Sequence, residues 1–147
     1  MIPKKAFWGL IGAIATGCIW VNWGAIAWAD YQSFVLSPGF EPDPQVGTGY
    51  SGGPRQTADC GFVGPSNTPD HVLQLLEPFS FLHALVEAPG DVTLLIEGPD
   101  GRRCVDDADG NLPEVVGGWS AGTYQIWIGD WERAGYRYSL YLSEYSR

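Results

Sequence analysis

From His71 to the C-terminus, apolar and polar residues alternate in short runs separated by turn residues. The clearest run is 136–143, with Tyr136, Tyr138, Leu140 and Leu142 on one face and Arg137, Ser139, Tyr141 and Ser143 on the other. A period of two is the mark of a strand buried on one side. The segment 71–77 sets Leu73 and Leu75 against Val72, Gln74 and Leu76, and 79–88 sets Leu82, Ala84 and Val86 against Phe79, Phe81, His83 and Leu85. Pro89-Gly90-Asp91 is a turn, and the β-branched run 92–98 is the next strand. Gly98-Pro99-Asp100-Gly101 turns again: proline presets φ, aspartate bonds the backbone and glycine accepts positive φ. The chain then returns through Arg102-Arg103-Cys104-Val105, so 92–105 is a predicted hairpin. After the apolar pair Val115-Val116, the run 123–130 places Tyr124, Ile126 and Ile128 opposite Gln125 and Trp127.

Six or so short strands with regular turns, and no helical period, predict an all-β fold, an antiparallel β-sandwich of jelly-roll-like type. Residues 30–69 read differently. They are rich in Gly, Pro, Ser and Asp, which predicts a long irregular N-terminal lead wrapped over the sandwich. Phe40, Tyr50 and Phe62 are its expected burial points. Lead and sandwich (70–147) are expected to form one domain, preceded by residues 1–29 as a separate segment.

That first segment carries Lys4 and Lys5, an uncharged apolar run from Ala6 to Ala29, and the ending Ala27-Trp28-Ala29. These are the three parts of a secretory signal peptide. The run is long enough to serve instead as an uncleaved membrane anchor. Thr16-Gly17-Cys18 suggests a lipoprotein step, although Ala15 stands where a larger aliphatic is usual. The expected location is outside the cytoplasm, in the periplasm or the extracellular space, with membrane contact only through an uncleaved leader.

Removal of the leader leaves six arginines against seventeen acidic residues, a formal charge of −11. This excludes nucleic acid as a partner, since such binding neutralises phosphates with Lys and Arg. It also opposes an anionic membrane surface. Two cysteines remain, Cys60 and Cys104, and an even count in an exported chain predicts a disulfide. Closing 44 residues would stabilise the domain by roughly 3.5–4 kcal/mol.

Candidate chemistry concentrates in 97–111. Asp106, Asp107, Asp109 and Asn111 place oxygens close together on one loop, as a calcium ion requires. The glycine and glutamate positions of an EF-hand are not met, and a solvated turn in which the aspartates accept backbone N–H groups is the competing reading. Calcium is the one cofactor the pattern suggests. His71 and His83 lack metalloprotease spacing. Gly118-Trp119-Ser120-Ala121-Gly122 matches G-x-S-x-G by letters, but it leads into a strand of an all-β chain rather than into a strand-to-helix elbow. Trp127, Trp131 and Tyr141 are the candidates for stacking on a protein or carbohydrate ligand, against the alternative that they fill a core or cover a sheet face.

The stretch GDVTLLIEGPDGRRCVDDADGNLPEVVGGWSAGTYQIWIGD, residues 90–130, resembles the bacterial pre-peptidase C-terminal domain family, and within it small exported proteins of cyanobacterial type. Thr93, Leu94, Gly98, Pro99, Gly101, Cys104, Asp106 or Asp107, Gly122, Tyr124, Trp127 and Gly129 carry the likeness. Asn111-Leu112-Pro113 departs from the direct Asn-Pro of the pattern. The resemblance implies a β-sandwich that accompanies secreted enzymes, with calcium or matrix binding in some members. The combined expectation is an exported, non-catalytic binding domain, calcium-stabilised if the aspartate loop holds an ion. One alternative is a structural subunit of a cell-envelope complex, and another is a small hydrolase using Ser120 with a histidine.

Overall fold

A computed structural model describes residues 32–106 and 112–146. The strands are β1 Gln32–Leu36, β2 Gln45–Tyr50, β3 Arg55–Thr57, β4 Gly61–Val63, β5 His71–Leu75, β6 Phe79–Glu87, β7 Val92–Gly98, β8 Gly101–Asp106, β9 Glu114–Trp119, β10 Gly122–Asp130 and β11 Arg137–Ser143. Among the described residues there is no helix. The chain is an all-β sandwich of a seven-stranded and a four-stranded sheet, the latter in the order β2-β11-β6-β9.

Alternation decides which side chains meet between the sheets. Leu73, Leu75, Val92, Leu94, Ile96, Tyr124, Ile126 and Ile128 come from the larger sheet. They pack on Leu82, Ala84, Val86, Val115, Tyr138, Leu140 and Leu142 from the smaller one. Burying each such side chain contributes about 1.5–3 kcal/mol.

The lead is not irregular. It supplies four strands: β1, β3 and β4 join the larger sheet and β2 the smaller one. β1 pairs parallel to β5, from Gln32 opposite His71 to Leu36 opposite Leu75. β2 pairs with β11. The alternation of β2 is hidden because its inward positions are Gly47 and Gly49. A Cβ on Gly47 would lie 2.8 Å from His71 Cε1, and one on Gly49 would lie 2.5 Å from the Tyr138 hydroxyl. The large side chains of the neighbouring strands occupy the room that β2 leaves empty. Of the expected burial points, Phe40 packs against Phe79 with ring centroids 6.1 Å apart, and Phe62 lies beneath the Arg133 guanidinium. Tyr50 is exposed, because it projects outward from β2.

β3 and β4 fold over the outer face of the larger sheet. There Cys60, Val63, Leu95 and Trp127 form a second small core, with Cys104 against it. Cys60 and Cys104 are joined by a disulfide. The hairpin is held further by Arg102, whose guanidinium donates to both Asp59 carboxylate oxygens at 2.6 and 2.9 Å.

Candidate functional site

β10 is longer than either neighbour on one of its edges. β5 pairs with it from Gly122 to Ile126, and β4 meets it only at Asp130. Ile128 falls in the interval. Its amide donates to Asp70 Oδ2 at 2.7 Å, and its carbonyl accepts from the Gly52 amide at 2.9 Å. The Asp70 amide in turn donates to the Ile126 carbonyl at 2.9 Å. Two loops, Ser51–Pro54 and Gly64–Asp70, thus complete the edge that the strands leave unpaired.

Between these loops, β2 and Tyr138 lies a groove of about 380 Å³. Its wall is mostly glycine, proline and threonine, with Thr48, Gly49, Gly52, Gly53, Gly64 and Thr68 among the lining residues. Asp70 and Tyr138 are the lining side chains that ionise. Burial pushes the Asp70 carboxyl up to about 6, and the bond from Ile128 opposes this only in part. Burial pulls the adjacent His71 down to about 4, with the nearby Gln32 main chain opposing. At neutral pH the His71 ring is therefore uncharged. Its Nε2 lies 2.8 Å from the Tyr138 hydroxyl, which burial, and then the Asp70 charge, keeps protonated.

Behind Gly52 lies Asp130, which is fully buried. Its Oδ2 accepts from Ser51 Oγ at 2.8 Å and from the Gly135 amide at 3.2 Å, and Ser51 Oγ accepts the Tyr136 amide at 2.8 Å. This network ties β10 to the start of β11. Asp130 Oδ1 has no hydrogen-bond partner. The sequence offered no pattern for the groove. Asp70 reads there only as the first residue of the sandwich, and its pairing with Ile128 is a contact between residues 58 apart.

The residues singled out from the sequence do not converge. Asp107, Asp109 and Asn111 lie outside the described residues. Asp106 accepts the Trp131 indole N–H at 3.0 Å, so the candidate ion ligand and the candidate stacking residue are partners on the surface. Among the described residues no three acidic, histidine or cysteine side chains are placed to hold a metal ion. Trp127, expected on a ligand face, is instead fully buried beneath the β3–β4 hairpin. Its indole donates to the Pro65 carbonyl at 3.0 Å, and Arg55 lies over its ring at 5.3 Å. Both faces of β10 are covered at this point, which alternation alone does not reveal. Trp131 is 38% exposed. Tyr141 is half-buried on the outer face of the four-stranded sheet, opposite Val46 and Leu85.

Ser120 belongs to a turn lock. Asp100 Oδ2 accepts the Ser120 amide at 3.0 Å and the Tyr124 hydroxyl at 2.5 Å. His83 contacts Glu114 at 2.8 Å, and His71 is engaged with Tyr138. Neither histidine is a recorded partner of Ser120.

No protein-family model matches the chain. An uncharacterized protein of Synechococcus elongatus is 43% identical over 98 residues, spanning 65% of this chain and 72% of that protein. The chain belongs to the family of that cyanobacterial protein. Among solved structures, the chain is similar to the pre-peptidase C-terminal domain of a collagenase from Bacillus anthracis. The TM-score is 0.49 at 12% identity, over 76% of this chain and 95% of that one.

Proposed function

We propose that the chain is an exported, non-catalytic β-sandwich that binds a ligand, a protein segment or a carbohydrate, in the groove between the Ser51–Pro54 and Gly64–Asp70 loops. The observation that carries this reading is the construction of the groove. Two loops and β2 enclose a cleft whose wall is mostly small residues, glycine, proline and threonine, and a mostly buried carboxylate sits in its lining. Convergent polar groups in a preformed cleft are the usual mark of a binding site. The non-catalytic part rests on the engagement of Ser120, His71 and His83 in separate contacts. The export part rests on the leader pattern of residues 1–29 and is consistent with the disulfide. Amide NMR of the processed chain, titrated with short peptides and cell-wall sugars, tests the reading. Shifts are expected at Gly52, Gly53, Gly64 and Thr68. Shifts confined to Trp131 and its neighbours would contradict it.

A second reading, a structural subunit of an envelope complex, is favoured by the outer face of the four-stranded sheet. Val46 and Val116 are 44% and 45% exposed there, with Tyr50 at 67%. Retention of an envelope protein by the wild-type chain, lost on Val46→Asp, would support it.

A further inference from the structure

The groove also indicates which ligand chemistry it takes, an inference that rests on the binding reading above. We propose that it binds a monovalent organic cation, an alkylammonium or alkylguanidinium group, with the Asp70 carboxylate as its counter-ion. Three observations carry this. First, the lining contains no Arg, Lys or His, and among the described residues the Asp70 carboxylate has no ion-pair partner. Its single recorded side-chain bond, from the Ile128 amide to Oδ2, leaves acceptor capacity on the other oxygen. Second, Asp130 is buried directly behind Gly52, with Oδ1 unpartnered and 3.6 Å from where a Cβ on that glycine would stand. It is a second acidic side chain, placed immediately behind the groove wall. Third, the remaining polar groups suit an N–H donor. Thr48 and Thr68 belong to the lining, with glycine and proline making up most of the rest, and these supply neutral hydroxyl and carbonyl acceptors; the Gly64 carbonyl already accepts from Arg55 Nε at 3.1 Å.

A divalent metal fits less well. It needs several charged or carbonyl ligands converging on one point, and no such group of side chains occurs among the described residues. An ammonium or guanidinium needs one carboxylate and a few neutral acceptors, which is what the groove supplies. The volume of about 380 Å³ suits a side chain or a small amine rather than an extended polymer.

The test is a titration of the processed chain at pH 8, followed by amide NMR, with n-butylammonium, Nα-acetyl-arginine amide and the uncharged n-butanol. The two cations are expected to shift Gly52, Gly53, Gly64 and Thr68 saturably, with n-butanol at least tenfold weaker. Preference for the arginine derivative over the free amine identifies a partner's side chain as the source, and the reverse preference identifies a small amine. Asp70→Asn is expected to weaken both cations at least tenfold. Should that variant not fold, the wild-type chain serves at pH 5. Asp70 is then mostly protonated, while His71 and Tyr138, the other titratable groups beside it, stay mostly uncharged. Cation binding is again expected to fall about tenfold. Equal response to n-butanol and the cations, or undiminished binding by Asp70→Asn, overturns the cation assignment and leaves the groove as a site for neutral ligands. No response at the groove to these three compounds, nor to the peptides and sugars, overturns both.

Discussion

The Asp70 carboxylate accepts the Ile128 amide at 2.7 Å, in the interval where β5 has ended and β4 has not begun. A side chain replaces a rung of the sheet, and in doing so it holds a carboxylate away from water. The consequence is a pH dependence built from two neighbours of opposite sign. The folded Asp70 carboxyl titrates at about 6, above its unfolded value of 3.8. Its contribution is therefore fully present below about pH 4 and is lost as pH rises through 6. His71 titrates at about 4, below its unfolded 6.5. Its contribution is present above pH 6.5 and is lost as pH falls through 4. Each amounts to at most about 3 kcal/mol, and over pH 4–6.5 they offset one another.

Asp70→Asn should therefore expose the histidine. Asparagine keeps an oxygen for the Ile128 amide but has no proton to exchange. Its stability is expected to fall by about 2–3 kcal/mol between pH 7 and pH 4 relative to the wild-type profile. At pH 8 it is expected to be at least as stable as wild type. Urea denaturation across this range checks the prediction, and parallel profiles for the two proteins would contradict it.

Trp127 and Trp131 lie four residues apart and should behave oppositely. Trp127 fills the small core beside the disulfide, so Trp127→Ala is expected to cost about 3–5 kcal/mol. Trp131 is partly exposed and bonded to Asp106, so Trp131→Ala is expected to cost less than about 1 kcal/mol. Acrylamide quenching separates them: loss of Trp131 removes the accessible component of the fluorescence, and loss of Trp127 leaves it in place.

The disulfide and the hairpin above it form one unit. Cys60→Ala with Cys104→Ala opens a 44-residue loop and is expected to cost about 3–4 kcal/mol. Hydrogen exchange should rise first at β3 and β4, which are three residues each and cover Trp127. Uniform loss of protection over both sheets would show instead that the hairpin has no separate stability.

Asp100 joins two turns. Its carboxylate accepts both the Ser120 amide and the hydroxyl of Tyr124, whose ring is buried. Asp100→Ala leaves the Ser120 amide to water and the Tyr124 hydroxyl to the Ser120 carbonyl alone, at 2.9 Å, and is expected to cost about 1–2 kcal/mol. Ser120→Ala keeps the amide and is expected to stay within about 1 kcal/mol of wild type. Thermal melting of the two variants checks the difference, and a larger loss for Ser120→Ala would contradict the lock.

β5, β10 and β11 were legible because large inward residues alternate along them, as in Tyr138, Leu140 and Leu142, and β6, β7 and β8 because turn residues bound their apolar runs; β9 showed only as the pair Val115-Val116, because Gly117 and Gly118 interrupt it. β2 was not legible, because Gly47 and Gly49 stand where apolar residues would signal a strand. β3 and β4 are too short to show a period. The cysteine pairing was legible from count alone. Trp127 was misread because alternation assumes one wet face, whereas the lead covers the outer face of β10 there and the four-stranded sheet covers the inner one. The groove was hidden for a related reason: it is assembled from residues of low individual signal on segments far apart in the chain. A buried carboxylate such as Asp70 looks, in sequence, like any turn aspartate.

The measurement that bears most directly on this account is the ¹³C titration of the Asp70 carboxyl in the folded, disulfide-bonded chain, read alongside the Ile128 amide shift. A midpoint near pH 6, with the Ile128 amide moving on the same curve, is the predicted result. A midpoint near the unperturbed aspartate value, with Ile128 unresponsive, would mean that the carboxylate faces open water and that the loops do not close over the sheet edge as described.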